Sequence, residues 1–311
     1  MHILLVSGFL GAGKTTFIKE LITRTDKRPV IMENEYGANN LDSLELQKAS
    51  TGNDDKEIKI LEFMEGCVCC TMKDSFVNSV LAIFSSLSPE CLIIEPTGVG
   101  RLSSIIENLK PILGRAVFLL EPIVVLCPET FRSNMKEYPE LYRDQIANAS
   151  RVVFSKCEHT DPDQLKEVTN EILKINPKAK ITDRHYSQMD GKWWDSLMET
   201  EAGNLPQEKT EEPEGLKDVF SQVTVTKAGL QNPGQLVQLL EDCLHGEFGL
   251  ISRAKGTIWV GSELLRFDLA DKMYAITDSP DDATQCVFIG KGLNEKRLRN
   301  RLIISDRHSL L

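Results

Sequence analysis

Short apolar runs alternate with segments of helical periodicity from residue 1 to about residue 181. The apolar runs are rich in Val, Ile and Leu, and the segments between them repeat apolar side chains three and four positions apart. This alternation is typical of a mostly parallel, doubly wound α/β sheet that helices cover on both faces. We predict strands over residues 2–7, 29–34, 58–63, 91–95, 123–127, 151–155 and 179–182, and helices that begin after the first strand and near residues 74, 103, 138 and 161.

The pattern changes after about residue 185. Residues 203–215 hold few apolar side chains and several Glu, Pro and Gly, which is typical of a solvated linker. Further strands are predicted over residues 220–226, 254–260, 264–269, 273–277 and 286–289, with helices over 235–243 and 294–302. We therefore divide the chain into an α/β domain (1–185), a linker (186–215) and a small α+β domain (216–311).

Composition narrows the class of protein. The chain has 311 residues, of which 41% are hydrophobic, enough for two cores. Its formal net charge of −10, without a Lys/Arg cluster, argues against a nucleic-acid partner. No apolar run approaches the ~18 residues that cross a bilayer, and the first strand lacks the features of a signal peptide, so we expect a cytoplasmic protein without a membrane partner. We expect buried thiols rather than a disulfide framework at the five scattered cysteines, Cys91, Cys127, Cys157, Cys243 and Cys286.

A phosphate-binding motif follows the first strand directly. Residues 8–16 read G-x-x-x-x-G-K-T-T between an apolar strand and an amphipathic helix, the context that the P-loop of NTPases requires. Both flanks fit, which disfavours a chance glycine-rich turn and predicts the P-loop NTPase fold. Backbone N–H groups would bind the β-phosphate, Lys14 would reach the β- and γ-phosphates, and the Thr15 hydroxyl would bind Mg²⁺. The predicted nucleotide-binding residues here are Gly8, Gly11, Ala12, Gly13, Lys14, Thr15 and Thr16.

A second element of NTPase chemistry ends the predicted strand 91–95. Glu95 can hold Mg²⁺ together with Thr15, and the N–H group of Gly98 can donate to the γ-phosphate. We predict Lys14, Glu95 and Gly98 as the catalytic residues. The alternative is a buried strand that merely ends in a carboxylate.

The loop after the predicted strand 151–155 is a candidate for reading the base. GTPases place Asn-Lys-x-Asp here, whose carboxylate accepts from N1–H and the exocyclic amine of guanine. This chain has Ser155, Lys156 and Glu158 at the three positions. Lys156 could cover the base and Glu158 could accept, which favours guanine over adenine. The alternative is an exposed loop that precedes a helix.

Three cysteines lie within four residues, at Cys67, Cys69 and Cys70. Thiolates this close can bind one soft or borderline cation, with Glu35, water or a substrate group completing a tetrahedron. They lie between the phosphate loop and Glu95, where GTPases carry segments that rearrange with the γ-phosphate. Buried thiols or a redox pair are the alternatives.

Together, these motifs resemble the CobW family of P-loop GTPases, and the resemblance continues through residues 249–259 and 287–290. It implies a slow GTPase that uses GTP and Mg²⁺ and carries Zn²⁺ or Co²⁺, with Ni²⁺ as a further candidate. The implied partner is a metalloprotein or a corrinoid-dependent client, and a homodimer is compatible with the resemblance. A nucleotide-gated regulatory protein with structural cysteines is the alternative, and a small-molecule kinase is disfavoured because no acceptor-binding element accompanies the loop.

Overall fold

The computed structural model describes residues 1–34, 60–63, 73–114, 116–203, 220–270, 272–279 and 284–302. Two compact units divide the chain, Met1–Pro213 and Glu214–Leu311. No helix within the described ranges is long and apolar enough to cross a membrane.

The first unit is built on a parallel sheet. Among the described residues, eight strands pair in the order β3-β2-β4-β1-β6-β7-β8, with β5 also paired to β1. Every pairing is parallel, as the apolar runs predict. The strands are β1 (His2–Ser7), β2 (Val30–Asn34), β3 (Ile60–Phe63), β4 (Cys91–Glu95), β5 (Phe118–Leu119), β6 (Ile123–Leu126), β7 (Arg151–Phe154) and β8 (Lys180–Ile181).

The helices of this unit follow the strands in alternation. They are α1 (Lys14–Arg24), α2 (Lys73–Leu87), α3 (Leu102–Leu109), α4 (Phe131–Glu137), α5 (Pro139–Ala147), α6 (Pro162–Ile175) and α7 (Gly191–Leu197), with 3₁₀ turns at Lys110–Ile112 and Tyr186–Gln188. Helix α6 begins where the sequence predicts, because Asp161 accepts a hydrogen bond from the Asp163 N–H group at 2.8 Å and Pro162 occupies the first turn. The short β5 and α4 carry too few residues to give a periodic signal, so the sequence does not predict them.

Residues 186–198 belong to the first unit, although the sequence places them in the linker. The Trp194 side chain is fully buried and stacks on Phe17 of α1, with ring centroids 5.6 Å apart. Tyr186 meets the same Phe17 ring edge-on at 5.1 Å. This aromatic packing holds the segment against α1. Two tryptophans and a tyrosine marked the segment in the sequence, but the polar residues that follow masked them.

The second unit is an α+β fold, as predicted. Its described strands form a six-stranded sheet in the order β13-β12-β11-β14-β9, in which β10 adds a parallel pair with β11. Leucines of the two helices, among them Leu239 and Leu298, share one core with Phe267 and Phe288 of the sheet. The elements are β9 (Phe220–Thr226), β10 (Gly229–Leu230), α8 (Pro233–Leu244), β11 (Leu250–Val260), β12 (Glu263–Ala270), β13 (Met273–Asp278), β14 (Gln285–Lys291) and α9 (Glu295–Leu302).

Candidate functional site

The phosphate loop connects the end of β1 to the start of α1. Gly8 has a φ angle of 145°, and a Cβ atom there would lie 2.3 Å from the carbonyl oxygen of Val125. Gly13 is left-handed, with φ 85° and ψ 25°, and forms the N-cap of α1. Only glycine meets both demands without strain. The loop therefore presents the unpaired N–H groups of a helix N-terminus at the carboxyl edge of the sheet, where an anion binds.

Lys14 and Thr15 begin α1 and point toward the predicted catalytic groups. The Lys14 side chain is only 6% exposed, and its ammonium donates to the Phe9 carbonyl at 3.4 Å. The Thr15 hydroxyl lies 3.0 and 3.1 Å from the two carboxylate oxygens of Glu95, to which it donates. Because β1 and β4 are parallel neighbours, their carboxyl ends bring these residues together. Two oxygen ligands suited to a hard cation therefore meet beside the phosphate loop.

The connection after β4 packs directly on the phosphate loop. A Cβ atom on Gly98 would lie 2.5 Å from the backbone nitrogen of Leu10, so no larger residue fits there without movement. Gln145 of α5 holds the connection from the other side. Its amide donates to the carbonyl of Gly98 at 3.4 Å and to that of Gly100 at 3.1 Å. The Gly98 N–H group is thereby kept next to the loop that would bind the phosphates.

Helix α5 also anchors the start of α3. Arg101 donates to Glu140 at 3.0 Å, and Ser103 donates to Asp144 through both its backbone N–H group, at 3.2 Å, and its hydroxyl. Burial raises the pKa of the Asp144 carboxyl, while the Ser103 bonds oppose this rise. Sequence reasoning missed Gln145 and Asp144, because their partners lie some 40 residues earlier in the chain.

Ser155 supports the phosphate loop rather than facing outward to a base. It is 2% exposed, and its hydroxyl donates to the Ala12 carbonyl at 2.6 Å. A short side chain suffices because Gly13 presents no side chain, and the Cβ atom it lacks would stand 3.7 Å from that of Ser155. The next residue, Lys156, is exposed and left-handed at φ 52°. Burial raises the pKa of the neighbouring Cys157 thiol to about 11, which keeps it protonated at neutral pH.

Glu158 is the exposed carboxylate of this loop. Its Oε1 atom lies 3.4 Å from Nε2 of His185, which is 8% exposed and sits in the connection after β8. The sequence treats His185 as an ordinary solvated or core histidine, because nothing in its spacing connects it to Glu158. Only the parallel pairing of β7 with β8 brings the two connections to one edge.

A further carboxylate lies at the same edge of the sheet. Glu33 of β2 is 4% exposed, and its Cα atom is paired in register with those of Glu95 in β4 and Glu62 in β3. Residues aligned on adjacent parallel strands share a face, so this part of the sheet is acidic. The sequence singled out Glu35 instead of Glu33. The signal that could have found Glu33 is its position at the end of an apolar strand, as for Glu95.

The predicted cargo-metal ligands Cys67, Cys69, Cys70 and Glu35 lie outside the described residues, so that site stays a prediction. Within the described ranges, no group of three or more His, Cys, Asp and Glu side chains could hold a metal ion. The five scattered cysteines are buried free thiols, as expected. Burial raises the pKa of Cys91 and of Cys243 to about 12.

Comparison with known proteins gives the chain relatives with descriptions of their own. "Zinc-regulated GTPase metalloprotein activator 1" of Schizosaccharomyces pombe is 27% identical over 193 residues, covering 60% of this chain and 46% of that protein. "Zinc chaperone YeiR" of Escherichia coli is 31% identical over 162 residues, covering 51% of this chain and 47% of that protein. These alignments thus span about half the length of the relatives. The crystal structure of Zn(II)-bound YjiA GTPase from E. coli aligns with a TM-score of 0.45 at 18% identity, over 97% of both chains.

Two family profiles match the chain. The profile described as "CobW/HypB/UreG, nucleotide-binding domain" matches residues 2–183, and the profile "Cobalamin synthesis protein cobW C-terminal domain" matches residues 220–303. The first match contains the phosphate loop, Glu95 and the loop of Ser155. Because it covers more than half of the chain, this protein belongs to the CobW/HypB/UreG family, and its second unit is a CobW C-terminal domain.

Proposed function

We propose that this protein is a GTP-hydrolysing metallochaperone in which the state of the nucleotide controls a site for a metal cargo. The observation that carries the proposal is the contact between Thr15 and Glu95, which joins the phosphate loop to β4 at 3.0 Å. That contact assembles the residues of a nucleotide-hydrolysing site within a family whose profile describes a nucleotide-binding domain. The names of the two relatives, a zinc chaperone and a zinc-regulated activator, support metal as the cargo.

The phosphate side of the site would bind and orient the triphosphate. Lys14 would exchange its contact with the Phe9 carbonyl for the β- and γ-phosphates. The Thr15 hydroxyl and the Glu95 carboxylate supply oxygen ligands for Mg²⁺, directly or through water. When bound, Mg²⁺ neutralises charge on the phosphates. The N–H group of Gly98 would donate to the γ-phosphate, which makes the connection after β4 sensitive to its presence.

Turnover should be slow without a client. Catalysis would be positional and electrostatic, carried by Lys14, Glu95 and Gly98, since we find no strong general base among the described residues of the site. The Glu95 carboxylate is engaged by Thr15 and so is poorly placed to activate water. A client that orders the site would therefore accelerate hydrolysis.

The base side would select guanine. Glu158 would accept from N1–H and the exocyclic amine, while the Lys156 stem covers the ring. Adenine carries no N1–H group and cannot satisfy the carboxylate. The buried Ser155 would contribute indirectly, through the Ala12 carbonyl.

The cargo site would use Cys67, Cys69 and Cys70 as thiolate ligands. Glu35 is the candidate for a fourth ligand, and we add Glu33 because it is buried at the acidic edge beside Glu95. Zinc is the favoured cargo, with cobalt and nickel as alternatives that thiolates also accept. The client would be a cytoplasmic metalloprotein or a corrinoid-dependent enzyme, and a homodimer would be the delivering form.

Titration with Co²⁺ tests the cargo site, because cobalt thiolates absorb in the near ultraviolet and visible. Wild-type apoprotein should develop these bands with one equivalent of Co²⁺ and lose them to Zn²⁺. The variant Cys67→Ser/Cys69→Ser/Cys70→Ser should not, while the control Cys243→Ala, which alters a buried thiol of the second unit, should behave as wild type. Absence of the bands in wild type would support instead a nucleotide-gated regulator whose cysteines are structural. Transfer of phosphate to a metabolite would support a kinase.

A further inference from the structure

The exposed Glu158 side chain is fixed by a residue from a different connection. Its side chain is 52% exposed, and the contact that the structure gives it is His185 Nε2, at 3.4 Å from Oε1. An exposed glutamate samples several rotamers, so reading a base costs side-chain entropy unless a neighbour restricts it. Compared with the Asp of the GTPase pattern, glutamate adds one more rotatable bond. The need for such a neighbour is therefore greater in this chain.

The hydrogen bonds of His185 determine which ring nitrogen carries the proton. Its Nδ1 atom accepts from the Ser187 N–H group at 3.3 Å and lies 2.8 Å from the Ser187 hydroxyl. An Nδ1 that accepts leaves the proton of the neutral ring on Nε2, which is the atom that faces Glu158. His185 thus donates to Glu158 without needing a positive charge.

The packing around His185 makes it a rigid support. The ring is 8% exposed and caps the 3₁₀ turn Tyr186–Gln188. It lies 4.1 Å from the Tyr186 ring, which in turn packs edge-on against Phe17 of α1 at 5.1 Å. A row of three rings therefore connects the helix of the phosphate loop to the carboxylate of the base loop.

We propose that His185 is a positioning residue for Glu158 and, through it, a determinant of guanine preference. This inference rests on the base-reading role of Glu158 in the proposed function. Donation from Nε2 holds one carboxylate oxygen, and the lone pairs that remain on the carboxylate accept the two N–H groups of guanine. His185 itself does not touch the nucleotide.

Two substitutions separate the support of Glu158 from the local fold. His185→Asn keeps an acceptor for the Ser187 N–H group but is too short to reach Glu158, whereas His185→Gln places an amide N–H near the position of Nε2. We expect His185→Asn to weaken GTP binding about tenfold with ATP binding unchanged, and His185→Gln to restore most of the loss. The dissociation constants are measured by calorimetry on the full chain. His159→Asn, which changes the exposed histidine next to Glu158, is the matched control and should bind GTP as wild type does.

A double-mutant cycle completes the test. If His185 acts through Glu158, His185→Asn should have no further effect on GTP binding in a Glu158→Ala background. Equal weakening of GTP and ATP by His185→Asn, or additive losses in the double variant, would overturn the inference. Loss of GTP preference in Glu158→Ala but not in His185→Asn would overturn it while leaving the proposed function intact. An unchanged preference in Glu158→Ala would overturn the base-reading role itself.

Discussion

The phosphate side and the base side of the candidate site are built in different ways. On the phosphate side, backbone groups and the buried Lys14 are fixed by the step from β1 to α1. On the base side, the side chains of Lys156 and Glu158 are exposed, and Glu158 is held by His185 from another connection. Strand–helix geometry thus determines the first side, while contacts between distant residues determine the second. We expect changes on the phosphate side to abolish binding and changes on the base side to alter selectivity.

The largest effect should come from Lys14→Ala. Removing the buried ammonium leaves the β- and γ-phosphates without their main positive side chain, so triphosphate binding should weaken at least 100-fold, for GTP and ATP alike. Calorimetry and phosphate release measure this. Lys166→Ala, which removes an exposed lysine of α6, is the control and should have no effect. Wild-type hydrolysis by Lys14→Ala would contradict the phosphate-loop assignment.

Gly98→Ala tests the close approach between the connection after β4 and the phosphate loop. The added methyl would lie 2.5 Å from the Leu10 nitrogen and must push the connection away. We expect GTP hydrolysis to fall at least tenfold and stability to fall by about 1–3 kcal/mol. The control is Gly191→Ala, where a Cβ atom meets nothing within 4 Å. Similar rates for the two variants would show that this approach does not matter to hydrolysis.

Glu158→Ala should separate the two sides most clearly. GTP binding should weaken about 30-fold because guanine loses its acceptor, while ATP binding should stay within about twofold of wild type. Binding of both nucleotides is followed by competition against a fluorescent analogue. Equal losses for GTP and ATP would show that this loop does not read the base.

Ser155→Ala should give a smaller and unselective effect. The residue lies in the base loop by sequence, yet its hydroxyl supports the Ala12 carbonyl of the phosphate loop. Loss of one buried hydrogen bond should weaken GTP and ATP equally, by about fivefold. A selective loss of GTP binding would place Ser155 on the base side instead. The same competition assay distinguishes the two outcomes.

The smallest effect concerns pH and Asp144. Burial raises its folded-state pKa above the unfolded value, so the folded state binds more protons between the two values. Stability from this group is therefore lost as the pH rises through that interval. Wild type should gain stability relative to Asp144→Asn as the pH is lowered from 7 towards 4. Urea unfolding in a Trp259→Phe background measures this in the first unit, where Trp193 and Trp194 lie. A pH-independent difference would contradict the assigned shift.

Sequence predicted the parallel sheet, the phosphate loop and the meeting of Thr15 with Glu95. These follow from local patterns and from the rule that parallel strands end at one edge. It did not predict His185, Gln145 or Asp144, whose roles depend on contacts between segments far apart in the chain. The cysteine cluster 67–70 is known from the sequence alone, so its role depends on experiment.

The coupling between nucleotide and cargo is the central claim. The most direct test measures the affinity of the full chain for Zn²⁺ in the presence of GDP and of a non-hydrolysable GTP analogue. We expect the two affinities to differ by about tenfold or more, and Zn²⁺ to change the relative affinity for the two nucleotides by the same factor. Equal Zn²⁺ affinity in both nucleotide states would contradict the account.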